Sequence, residues 1–282
     1  APASGVIEPD LFVCVDVDAG GVESFVGLAS GVNRDWLPAD RLVTRHEIEF
    51  DPQTERLVAR KRTRFEDLVI DDTHGHFADE DEAARILAAA AAANFERVLP
   101  PSDSPAGLYR LRVRCLQAWR PELDLPRLDD DELRELLPEL CRGVRSFEEL
   151  RAGPWLEAIR GRLSYEQQLA VEREAPERIT VPSGSRIPLQ YEAGRPPVLA
   201  ARIQELFGLT ETPRIAAGRV KVLVHLLAPN FRPQQVTDDL ASFWANTYPI
   251  VRKELRGRYP KHDWPEDPLT ATASRGPKRR SP

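Results

Sequence analysis

GRVKVLVHLLAPNFRPQQVTDDLASFWANTYPIVRKELRGRYPKHDW, residues 218–264, decides how this chain is read. An apolar run at 220–229 reads as a buried strand that Pro229 ends. Two helical patterns follow. Leu240, Phe243, Trp244 and Thr247 fall at i, i+3, i+4 and i+7, so one helix face packs. Thr237 stands where a cap belongs, and Asp238 and Asp239 complement the helix dipole. Pro249 suits the first turn of the second helix, where Ile250, Val251 and Leu255 form a buried side and Gly257 a stop. Arg252, Lys253 and Arg256 crowd that helix, Arg258 and Lys261 continue the charge, and Tyr259 and Trp264 interleave. Cations for phosphates and rings for bases are what single-stranded nucleic acid requires, with stacking worth about 1–3 kcal/mol per base. A solvated basic helix with Tyr259 and Trp264 in the core accounts for the same residues, and the two readings stand level. His225, among Val224, Leu226 and Leu227, reads as a packed histidine.

Working outward, residues 177–182 read as extended, 183–185 as a turn, and Ile187, Leu189 and Tyr191 alternate as in a strand. Residues 198–208 read as a strand passing into a helix that Gly208 stops. Upstream lies a helical block. Asp79 caps a helix over 79–98, whose alanines favour it and which Pro100 and Pro101 stop. A second helix runs from 104 or 105 to 119 with Leu108, Leu111, Val113, Cys115, Leu116 and Trp119 as its stripe. A third covers 129–141 until Pro138 ends or kinks it, and short helices follow at 146–151, 154–161 and 164–174.

Before the block, residues 10–17 and 24–30 read as a hairpin about Gly20–Gly21, followed by a short helical insert at 34–43. Strands at 47–50 and 56–65 and a short one at Val69–Ile70 complete five, which suits a small oligonucleotide-binding (OB) type barrel. Arg60, Arg62 and Arg64 share one face of strand 56–65. That face could track a nucleic-acid backbone or serve as an ordinary solvated, edge-protecting face. Residues 71–82 read as a linker; His74 and His76 lack the ligand count of a metal site, and no metal is expected. The fold class is α+β: an OB-like barrel (1–76), a helical region (77–175), a mixed α/β domain (176–268) and a disordered basic tail (269–282).

Composition bounds the function. No run of some 18 apolar residues is present to span a membrane, and the first residues have neither the basic nor the apolar region of a secretory signal, so none is expected in this stretch. Three scattered cysteines with no CxxC fit free thiols in a reducing cytosol, so the expected location is cytoplasmic. There is no methionine at all, from which a piece of a longer chain is expected. Five of the 39 basic residues are lysine. Residues 183–282 carry a net charge of +7 and the remainder −13, so a basic C-terminal third hides behind a total of −6. No GxxxxGK[ST] loop, GxGxxG fingerprint, HExxH or GxSxG elbow occurs, so no self-sufficient active site is present.

VPSGSRIPLQY (181–191), PPVLAARIQELFGLTETPRIAAGRVKVLVHLLAPNFRPQQVTDDLASFW (196–244) and VRKELRGRYPKHDWPEDP (251–268) resemble the C-terminal region of the bacterial ATP-dependent helicases called HrpB, of the DEAH-box group in superfamily 2. The likeness covers nearly all of 180–268, while residues 1–175 agree more weakly, in order and size. It implies a motor upstream in the same polypeptide that holds ATP and magnesium and moves along RNA or single-stranded DNA. No catalytic residue of that motor maps onto this chain, which alone is expected to turn over no ATP. The accessory role implied is part of a nucleic-acid channel wall that packs on the motor; the clustering of basic residues, not the resemblance, makes Arg60, Arg62, Arg64, Arg252, Lys253, Arg256, Arg258, Tyr259 and Lys261 the candidate contacts. The alternative is a protein-docking module that does not touch nucleic acid, which the acidic residues 1–182 favour.

Overall fold

Five strands open the chain in a computed structural model that describes residues 10–19 and 24–276. Strands β1 (Phe12–Ala19) and β2 (Ser24–Gly31) pair antiparallel, with a register shift around Asp16; the Gly20–Gly21 turn lies outside the described residues. Two 3₁₀ turns follow, at Arg34–Trp36 and Ala39–Arg41. Then β3 (Leu42–Asp51), β4 (Arg56–Phe65) and β5 (Leu68–His74) form an antiparallel sheet in that order. The closed OB-type barrel expected here is not confirmed. A barrel needs its edge strands paired, and among the described residues no ladder joins β1–β2 to β3 or β5. Asp71, Asp72 and His74 belong to β5, not to a linker. The free edge of β4 takes their backbone groups into its ladder.

Seven helices come next: α1 (Glu80–Ala93), α2 (Pro105–Trp119), α3 (Asp130–Arg134), α4 (Leu137–Leu140), α5 (Phe147–Arg151), α6 (Trp155–Gly161) and α7 (Tyr165–Glu174). The chain forms two units, one of residues up to 98 with 137–151, the other of 99–136 with 152 onward. The helical block expected at 77–175 is divided between them. In the first unit, the Asp79 carboxylate accepts from the Glu82 N–H, as its position predicts. Ala83, Ala84, Leu87, Ala88 and Ala91 are buried, and these small side chains let α1 lie close on β3, β4 and α4. Phe50 stacks on Phe147 with ring centroids 4.7 Å apart. The third helix expected at 129–141 is instead two pieces, with Pro138 in the first turn of α4, where its missing N–H leaves no bond unmade.

In the second unit, Ser104 caps α2, whose buried side differs from its expected stripe. Leu108 is exposed, and Arg112 is buried. The Arg112 guanidinium donates to the Ala175 carbonyl at 2.7 Å and to Glu172 at 2.9 Å, which satisfies a charge that burial would otherwise penalise. After α7 come β6 (Arg178–Thr180), β7 (Arg186–Gln190), β8 (Val198–Arg202), the small hairpin β9 (Arg214–Ile215) and β10 (Val220–Lys221), β11 (Leu223–Leu227) and β12 (Pro233–Thr237). The five-stranded sheet runs β12-β11-β8-β7-β6, and β8 and β11 are parallel. Leu199, Ala201, Val224 and Leu226 alternate into the core, which gives these strands their apolar reading. A 3₁₀ turn at Ile203–Glu205 replaces the expected helix before Gly208.

Two corrections concern the C-terminal end. Thr237 closes β12 and caps nothing; the cap of α8 (Leu240–Ser242) is Asp239, which accepts from the Ser242 N–H. The expected disordered tail is laid onto the unit as far as residue 276. The Gly208 N–H donates to the Pro268 carbonyl and the Ser274 N–H to the Gln204 carbonyl, both at 3.0 Å. Lys278, Arg279 and Arg280 lie outside the described residues. Leu199 sits in the middle strand with no exposed surface, so Leu199→Ala should destabilise the second unit by about 2–5 kcal/mol. Urea denaturation followed by tryptophan fluorescence measures this.

Candidate nucleic-acid interface

The basic helix begins with a proline problem. Pro249 has no N–H to give the carbonyl four residues back, and its ring presses on that turn. The chain therefore widens into a π turn over Phe243–Thr247, in which the Tyr248 N–H donates to the Phe243 carbonyl. α9 (Tyr248–Arg258) continues from it without a break. Phe243, Trp244 and Tyr248 all face the core, where Tyr248 meets Phe207 edge to face at 6.1 Å. The Trp244 indole donates to the Leu209 carbonyl at 2.8 Å, and the Tyr248 hydroxyl to the Pro265 carbonyl at 3.0 Å.

This anchoring sorts the predicted contact residues into two groups. Arg252 is structural: its guanidinium donates to the Trp264 carbonyl at 2.9 Å and to Glu266 at 3.2 Å, which pins residues 264–266 against α9. Tyr259 packs partly into the core, and its carbonyl accepts the indole N–H of the buried Trp264 at 3.0 Å. Neither ring interleaves with the cations in the way a stacking surface requires. Lys253, Arg256 and Lys261 are exposed and have no ion-pair or hydrogen-bond partner among the described residues. Arg258 is exposed and lies 3.8 Å from Glu254. Ile250, Lys253 and Arg256 follow at intervals of three, so the outward face of α9 is a short cationic stripe.

The arginines of β4 stand differently. Arg62 donates to Glu47 at 2.8 Å, to Asp72 at 3.2 Å and to Glu49. Arg60 lies 3.7 Å from Asp72, and Arg64 3.5 Å from Glu47. Carboxylates on β3 and β5 thus flank the row on both sides and neutralise it. Hydrogen bonding from Arg62, with Arg64 nearby, holds the Glu47 carboxyl below its ordinary value. Those carboxylates would repel a phosphate that approached the arginines. The partners of Arg62 lie 10 to 15 residues away, so the charge balance could be seen only through strand register.

His76 rests against the His46 ring at 4.5 Å, and among the described residues no three His, Cys, Asp or Glu side chains converge as metal ligands. Nor do the residues suit ATP and magnesium: no lysine follows a glycine-rich turn between strand and helix. Sequence reasoning passed over the β11–β12 turn, where Phe231 and Arg232 stand exposed. The signal available was an aromatic and an arginine directly after a Pro-Asn turn pair.

With this geometry in place, comparison with known proteins is decisive for the C-terminal half. Residues 136–268 match the family described as ATP-dependent helicase C-terminal, HrpB_C. This region is similar to the C-terminal region of HrpB-type helicases. The ATP-dependent RNA helicase HrpB of Escherichia coli K12 is 44% identical over 177 residues, which are 61% of this chain and 22% of that protein. Two crystal structures of Escherichia coli HrpB, one described as a DExH-box NTPase and the other as a DEAH/RHA helicase, superpose with TM-scores of 0.68 and 0.59. They are 33% and 32% identical to this chain, cover 96% and 90% of it, and are themselves covered over 34% and 32% of their lengths. The chain thus spans about a fifth of the curated HrpB helicase and a third of the solved ones. The HrpB-type region contains α9, the β11–β12 turn and the aromatic anchor, whereas the β4 arginines precede it.

The two arginine groups should separate in stability. Arg62→Ala leaves three carboxylates facing one another and should lower the thermal midpoint, more at low salt than at high salt. Lys253→Ala and Arg256→Ala should leave the midpoint unchanged. Glu47 has a lowered pKa, so its contribution is present above the ordinary glutamate range and is lost as pH falls through the lowered value. That acid-side loss should shrink in Arg62→Ala, as followed by circular dichroism melts between pH 3 and pH 7, roughly the span over which carboxylates titrate.

Proposed function

We propose that this chain is the accessory C-terminal portion of a cytoplasmic, ATP-dependent RNA helicase of HrpB type. It lines part of the path of a single-stranded nucleic acid and packs on the ATPase motor of the same polypeptide. The motor binds ATP and magnesium; this portion performs no hydrolysis and contributes surface. The observation that carries the reading is the outward stripe of α9, where Lys253 and Arg256, followed by Lys261, present positive charge that no carboxylate among the described residues pairs with. Unpaired cations on a rigid helix attract phosphates and release counterions on binding. The rigidity comes from Arg252 and the aromatic anchor.

The second reading, a docking module without nucleic-acid contact, is favoured by β1. Val13, Val15 and Val17 of this strand are 55%, 65% and 49% exposed. Adjacent apolar side chains in water mark a surface meant to be covered. We assign this surface to motor packing, which operates together with strand contact at α9.

Fluorescence anisotropy with a labelled single-stranded RNA at several salt concentrations tests the reading. Affinity should fall as salt rises. Combined Lys253→Ala, Arg256→Ala and Lys261→Ala should flatten the log–log salt slope by about 2, from roughly 0.7 per lost phosphate contact. An absence of binding at low salt would leave only the docking reading. That reading in turn predicts that the separately produced motor region captures this chain and that Val13→Asp with Val15→Asp abolishes the capture.

A further inference from the structure

The turn between β11 and β12 contains a residue that its backbone does not favour. The Phe231 N–H donates to the Ala228 carbonyl, and the Ala228 N–H to the Arg232 carbonyl, both at 2.9 Å. This is a hairpin loop of three residues, Pro229, Asn230 and Phe231. The last residue of such a loop is left-handed and is ordinarily glycine. Phe231 occupies it with φ of 65°, where a Cβ crowds the following carbonyl. A bulky side chain is held there only when something repays the strain. Core packing does not, because Phe231 is 65% exposed. The Arg202 guanidinium lies 5.0 Å from the ring centroid and is fixed by Glu205 at 3.1 Å, so one side of the ring rests on a held cation. Next to it the exposed Arg232 guanidinium has no partner among the described residues.

An exposed ring, a stationary cation beneath it and a free arginine beside it have the chemistry of a stacking subsite. We infer that Phe231 is a base-stacking platform for single-stranded nucleic acid, and that Arg232 takes the adjoining phosphate. The inference rests on the proposed strand-binding role but assigns it a contact separate from the α9 cations. Stacking accepts any base, because every base has a π face, so the subsite grips the strand without reading its sequence. Arg202 polarises the ring and keeps it from swinging. Folding stability is given up at this turn to place an aromatic surface in water.

The role separates from a structural one by a reversal of sign. Asparagine accepts left-handed backbone and has no ring. Phe231→Asn should keep or raise the thermal midpoint while it weakens binding of a labelled single-stranded oligoadenylate about five- to a hundredfold. The salt slope should not change, because no charge is removed. Phe231→Tyr should retain affinity. Parent-like affinity in Phe231→Asn would overturn the inference, and so would a lowered midpoint, which would show that the ring supports the fold. Failure of the parent chain to bind at low salt would remove the strand-binding reading itself, and with it this contact. Binding by the parent with no effect at Phe231 would remove the stacking contact alone.

Discussion

Pro249 cannot complete an α-helical hydrogen bond, and much of the C-terminal unit is arranged around that fact. Between Phe243 and Tyr248 the helix widens by one residue, so residues five apart stack on the same side. Phe243, Trp244 and Tyr248 thereby reach the core together, where Trp244 and Tyr248 meet Phe207. With that side committed to the core, Lys253 and Arg256 point outward. The π turn is thus the link between a local backbone defect and the charged surface proposed to hold phosphate.

The two sets of arginines differ in what already holds their charge. On β4, alternate arginines stand between acidic strands, and their hydrogen bonds are used within the sheet. On α9, Arg252 is likewise consumed by Trp264 and Glu266, while its neighbours Lys253 and Arg256 remain free. A guanidinium that already has carboxylate partners loses them on taking a phosphate, so little is gained. A cation in water with no partner loses only counterions. The same reasoning separates Arg232 from Arg202 at the β11–β12 turn, where one is free and the other is held by Glu205. Strained Phe231 sits between them.

Local signals identified the elements well. Asp79 and Ser104 cap their helices where their positions predict, and β4 runs over the residues expected of it; His225 lies in β11 as expected, but half-buried. Errors arose wherever a partner distant in sequence intervened. Asp71 and Asp72 looked like linker residues until the edge of β4 drew them into a strand. Leu108, expected on the buried stripe of α2, is exposed, while Arg112 is buried, where the Ala175 carbonyl and Glu172 receive it. The tail after Pro268 has too few apolar residues to order itself, yet the backbone groups of Gln204 and Gly208 hold it.

From the sequence alone, the resemblance to HrpB helicases was legible, because RIQELFGLTETP, RGRYPKHDW and WPEDP are contiguous strings that need no tertiary context. Helix caps and strand alternation were legible for the same reason: each depends on residues within a turn or two. Tertiary structure alone decided which cations are free, whether Tyr259 and Trp264 stack or pack, and that five N-terminal strands form two ladders where a closed barrel was expected. Those outcomes depend on strand register and on backbone carbonyls far along the chain, and neither leaves a mark in the local pattern of residues.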